Sequence, residues 1–157
     1  MADLTGRIAT LVAASNQHFY VEDIDLREPP DALDFSDPHR WLLVMRNRLA
    51  LVSESAVHSD VLATLESWSG EPSRVDGAGS CQDDVVELGA GTVEVRELGG
   101  ELRRGDALEL GAGGVFHVRA YRTGGGQPVV DEFRRTGEIV PGRERFLIQF
   151  WPAVARQ

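Results

Sequence analysis

Asp106-Ala-Leu-Glu-Leu110, Gly111-Ala-Gly-Gly114, Val115-Phe-His-Val-Arg-Ala-Tyr-Arg122 and, after a polar interval, Glu144-Arg-Phe-Leu-Ile-Gln-Phe-Trp-Pro152 read as a short apolar run, a glycine turn and two strands. In 115–122 the side chains alternate: Phe116, Val118 and Ala120 share one face, and His117, Arg119 and Tyr121 take the other. In 145–151, Phe146, Ile148 and Phe150 share a face opposite Leu147, Gln149 and Trp151. A strand apolar on both faces is central in a sandwich or covered by a loop. Pro152 ends the ladder because it has no N–H to donate. The glycines at 111–114 suit a hairpin turn with positive φ, and they lack the G-x-G-x-x-G spacing of a phosphate loop.

Working outward, further short runs carry the same signature. Residues 8–14, 18–24, 84–88 and 92–98 are rich in strand formers and separated by turn residues. Residues 41–45 and 49–53, joined by Arg46-Asn47-Arg48, read as a tight hairpin, with a single helix the competing reading. Residues 60–68 alternate as a strand, again with a short helix as the alternative. Asp25 to His39 holds three prolines and four aspartates and is expected to be a surface loop. Residues 69–81 are a second loop, with Cys81 in a polar glycine-rich segment. Gly124–Gly126 reads as a flexible loop tip. Residues 127–143 are a polar connection with one possible further strand at 137–140. The expected fold is an all-β, single-domain antiparallel β-sandwich of about eight strands spanning 1–157.

The chain has 157 residues, enough to bury a core without disulfides or metal. Cys81 is its one cysteine, so no intrachain disulfide is possible. Its neighbours Asp83 and Asp84 disfavour a thiolate. All sixteen basic residues are arginine, and the net charge is −9. The negative charge concentrates in 1–39 and 83–109, whereas 110–157 is net positive. Such a chain repels nucleic acid and anionic membrane and attracts basic protein. No apolar run approaches the roughly 18 residues that cross a bilayer, and a cytoplasmic location is expected.

The residues that would signal catalysis are not arranged for it. His18, His39, His58 and His117 form no metal-binding spacing, so no metal or other cofactor is expected. A nucleophile elbow is absent. The chain therefore reads as a non-enzymatic interaction protein. The densest acidic cluster includes Glu22, Asp23, Asp25, Asp31 and Asp34. These five are the candidate partner-binding residues, presenting carboxylates to a basic protein surface such as a nuclease or toxin. The alternative is a small-ligand or carbohydrate site on exposed aromatics, with Tyr20, Trp68 and Tyr121 as candidates.

Three further segments carry a resemblance. Asn16-Gln-His-Phe-Tyr-Val21, Asp83-Asp-Val-Val-Glu-Leu88 with 92–96, and Leu108-Glu-Leu-Gly111 followed by Val115-Phe-His-Val-Arg-Ala-Tyr121 occur in the order of strands in small bacterial sandwich proteins. In this pattern the chain resembles the competence protein J family of nuclease inhibitors. The loops 25–39 and 123–143 have no counterpart. The resemblance implies a β-sandwich that caps a DNA-entry nuclease, with acidic residues against a basic site. It assigns no individual inhibitory residue.

Overall fold

The computed structural model of the chain describes residues 1–14, 17–26, 33–55, 60–77, 79–97 and 107–153. Among them run β1 (Leu4–Ala13), β2 (His18–Asp23), β3 (Leu42–Met45), β4 (Arg48–Val52), β5 (Asp60–Trp68), β6 (Ser80–Leu88), β7 (Thr92–Arg96), β8 (Leu108–Glu109), β9 (Gly114–Thr123), α1 (Gln127–Thr136) and β10 (Arg145–Pro152). Sheet I has the order β1-β5-β10-β9-β6, and sheet II the order β3-β4-β2-β7-β8. The fold is all-β, as expected, with ten strands rather than about eight: both arms of the 41–53 hairpin and the two-residue β8 find partners.

One pairing departs from the antiparallel expectation. β10 lies antiparallel to β9 but parallel to β5, with Arg145 opposite Leu62 and Phe150 opposite Ser67. Alternation fixes which face a side chain takes and is silent on the direction of the neighbouring strand. The interval read as a polar connection holds α1 instead, and 137–140 is not a strand. Proline stands in the first turn of α1, and Gly137 at φ 75° closes it by donating its N–H to the Phe133 carbonyl at 2.8 Å. Only Val129 of this helix is buried. No helix among the described residues is long and apolar enough to cross a membrane.

The core lies between the sheets and uses the predicted faces. Phe116, Val118 and Ala120 of β9 and Phe146, Ile148 and Phe150 of β10 pack against Phe19, Val21, Leu49 and Leu51 of sheet II. Phe146 meets Phe19 and Trp41 edge-to-face, at centroid distances of 5.1 and 5.9 Å. Burying a ring of this size contributes about 2–3 kcal/mol.

Two polar stitches close the sandwich. Along one side, Gln82 on β6 accepts the backbone N–H groups of Trp41 and Leu42 at 3.0 and 2.9 Å and donates to the His39 carbonyl at 2.6 Å. The hairpin tip continues this seam. Asn47, in the left-handed region at φ 62°, donates its N–H to the Glu87 carbonyl and accepts from the Gly89 N–H. Edge strands β3 and β6 are thereby covered by each other. At one end, the buried Glu144 carboxylate accepts from the Ser53 hydroxyl and from the Glu54 N–H. A Cβ on Gly125 would stand 2.5 Å from that carboxylate, so glycine is required there by close approach rather than by looseness of a loop tip.

Each stitch yields a prediction. Gln82→Leu strands two N–H donors and should cost about 2 kcal/mol in urea unfolding; an unchanged midpoint would show the seam to be dispensable. Burial raises the pKa of Glu144 above its ordinary 4.5, against the lowering effect of its hydrogen bonds and Arg122. The folded state therefore binds this proton more readily than the unfolded state. The stabilisation is complete below the unfolded pKa and is lost as pH rises through the folded pKa. Relative to Glu144→Gln, the wild type should gain stability as pH is lowered from 7 toward 4.5. A difference that stays constant or reverses would contradict the assignment.

Candidate functional site

The outer face of sheet I carries a polar row that crosses all five strands in register. Asp83 pairs with Arg119, Arg119 with Gln149, Gln149 with Glu66 and Glu66 with Arg7. These side chains share a face because each pairing places residues directly opposite one another. Three of them are buried: Arg119 is 2% exposed, and Gln149 and Glu66 are nearly as enclosed. Gln149 donates its amide to Glu66 at 3.0 Å, Trp68 donates its indole N–H to Glu66 at 3.1 Å, and Arg7 approaches Glu66 at 4.0 Å.

The cover over this row is the strap 69–76, which follows β5. Arg119 uses its whole fork: Nε donates to Asp83 at 2.9 Å, Nη1 to the Pro72 carbonyl at 3.0 Å and Nη2 to Glu71 at 2.6 Å. Burial works to lower the pKa of Arg119, but the bonds to Glu71 and Asp83 outweigh it and hold the pKa above the ordinary value. The guanidinium lies 5.0 Å from the Trp151 ring centroid, and His117 stacks on the same indole at 5.4 Å. Tyr121 fixes the far end of the strap, its hydroxyl accepting from the Val75 N–H at 3.0 Å.

Between the strap and β6, β9 and β10 lies a groove of about 220 Å³, walled by Glu71, Arg74, Asp83, Asp84, His117 and Trp151. On the other side of β6 a second groove of about 300 Å³ is lined by Asp34, Ser36, Asp37, Arg40 and Asp84, with the edge of β3. Asp84 is the shared rim and pairs with Arg40 at 2.9 Å. Val85 and Val115 stand exposed on the same outer face. The arrangement brings carboxylates, a stacked aromatic pair and an apolar rim together in one region.

The predicted acidic cluster is not one surface. Glu22 is 6% exposed and faces Arg48 at 3.1 Å and Arg96 at 3.9 Å. Asp23 is 1% exposed and accepts backbone N–H groups from Asp25, Ala90 and Gly91 at 2.8–3.2 Å. Both are structural acceptors of sheet II, so neither is open to a partner. Asp25 is half-buried against Gly89. Asp34 is exposed in the second groove, and the Ser36 hydroxyl and N–H lower its pKa. Asp31 lies outside the described residues.

The aromatic alternative is corrected as well. Tyr20 is buried beneath the Arg48 guanidinium and against His18, Tyr121 is buried beneath the strap, and Trp68 is half-buried on Glu66. These rings do not form an exposed platform. Cys81 sits on β6 rather than in a loop, and burial together with Asp83 raises its thiol pKa. Among the described residues no group of three or more His, Cys, Asp or Glu is placed to hold a metal ion. Glu71, Asp83, Asp84 and Arg119 did not stand out in the sequence. The available signal was Arg119 on the outward face of β9, between His117 and Tyr121.

No protein-family model matches the chain, and no curated protein does. Two solved structures share its architecture over nearly the whole length. ComJ from Bacillus subtilis, an inhibitor of the DNA degrading activity of NucA, superposes with a TM-score of 0.60 over 98% of this chain and 99% of its own, at 9% identity. The product of crocagin biosynthetic gene J superposes with a TM-score of 0.58 over the same shares, at 11% identity. At these identities the likeness is one of fold, and at that level the resemblance expected from the strand pattern is borne out.

Proposed function

We propose that the protein is a non-enzymatic, inhibitor-type binder of a basic protein of the nuclease kind, engaging it through the exposed carboxylates that flank β6. The observation that carries this reading is the end-to-end fold likeness to ComJ, which inhibits the DNA degrading activity of NucA. The net charge of −9 supports it, as do the exposed positions of Asp34, Asp37 and Glu71 and the half-exposed Asp84. A nuclease must present positive charge where the phosphates of DNA lie. Carboxylates held on a rigid sandwich would compete for that charge and steer the encounter at long range. Asp34 is kept from the acidic cluster as a contact residue. Glu22 and Asp23 act indirectly, by holding sheet II together.

The test is binding to purified NucA as the first probe, then to nucleases of the source cell, with DNA degradation as the second readout. The expected complex weakens at least tenfold between about 0.1 and 1 M salt, as the screening length falls from about 10 to 3 Å. The combined variant D34N/D37N, at two exposed carboxylates that no arginine pairs with in the structure among the described residues, should weaken it further at low salt while keeping the fold. A complex indifferent to both salt and these substitutions would overturn the carboxylate mechanism. Absence of binding to any of these nucleases would overturn the inhibitor reading.

A further inference from the structure

We infer that the groove under the strap is a receptor for a single arginine side chain of the partner, and that Arg74 occupies it in the free protein. This rests on the reading of the chain as a binder of a basic protein and names the contact at which binding is decided.

The charge balance of the groove points to one guanidinium. Glu71, Asp83 and Asp84 bring three carboxylates to its wall. Two guanidiniums are committed there: Arg119 to Glu71 and Asp83, and Arg40 to Asp84 from the neighbouring groove. One negative charge is left over. Arg74 answers it from the strap, at 3.4 Å from Asp83, with its side chain 62% exposed. A pair that open to water holds weakly, so a partner's arginine can take its place at small cost. The bound position of Arg74 also shows that a guanidinium fits beside Asp83.

The rest of the groove selects for the same chemistry. The stacked His117 and Trp151 rings form an aromatic wall, and a planar guanidinium stacks on such a wall as well as pairing with carboxylates. Exposed Val85 and Val115 give apolar contact at the rim.

A matched pair of substitutions separates a specific seat from diffuse attraction. Arg46 pairs with Glu87 at 3.7 Å on the same strand and is as exposed as Arg74, but Glu87 lies four residues beyond Asp83, about 13 Å away. Removal of either arginine changes the net charge equally. With a hexa-arginine peptide as probe, Arg74→Ala should tighten binding about two- to fivefold, the range an exposed ion pair covers, and Arg46→Ala by less than half as much. Glu71→Gln should weaken binding, and the His117 ring and Trp151 indole resonances should shift on titration. Equal effects of the two arginine substitutions, or shifts confined to other regions, would overturn the proposal. If the groove fails while the nuclease complex persists, the inhibitor reading survives and the arginine seat does not. If the groove binds the peptide but no nuclease complex forms, the arginine seat survives and the inhibitor reading does not.

Discussion

A buried guanidinium keeps its charge, so it must be given acceptors on every side. Arg119 imposes that demand on this molecule. One acceptor, Asp83, comes from the neighbouring strand of sheet I; the others, Glu71 and the Pro72 carbonyl, come from the strap. Satisfying one side chain therefore ties a loop to the sheet. With the strap in place, Gln149 and Tyr121 are enclosed and Trp151 gains the Arg119 cation on its face. Glu71 is brought beside Asp83, and the groove exists because of that. Breaking a hydrogen-bonded buried charge costs several times what an exposed pair is worth, which makes Arg119 the anchor and Arg74 the replaceable element.

Much of the fold was legible in the sequence because its core is made of short strands with strict alternation. Phe116, Val118 and Ala120, and Phe146, Ile148 and Phe150, face the core as the period of two requires. The 41–53 hairpin and the strand at 60–68 were likewise readable over their helical alternatives. What failed has physical reasons. The parallel pairing of β10 with β5 depends on the order in which strands are laid down, to which alternation is blind. Helix α1 is ten residues long and its apolar side is only Val129, Val130 and Phe133, which a short polar connection with an apolar pair resembles.

The site was less legible than the fold. Counting acids marked Glu22 and Asp23, but their partners Arg48, Arg96 and the 90–91 backbone lie far along the chain, and pairing removes them from the surface. Alternation puts Arg119 on the outward face of β9, yet nothing local says that a distant strap covers that face. The exposed carboxylates beside β6 belong to three separate segments, around 34, 71 and 84, so they form a surface only after folding. The same limit applies to function: the sandwich is a frame on which ComJ carries an inhibitor, and only side chains decide what a given frame binds.

The central claim is that a basic protein is recognised on the flank formed by the strap, β6 and the His117–Trp151 stack. Amide hydrogen exchange, compared between the free protein and its complex with a basic nuclease, addresses this most directly. The account predicts added protection in 71–76 and along Ser80–Leu88, with little change in α1. Protection concentrated on α1 or on the 23–26 turn, with the strap and β6 unchanged, would contradict it.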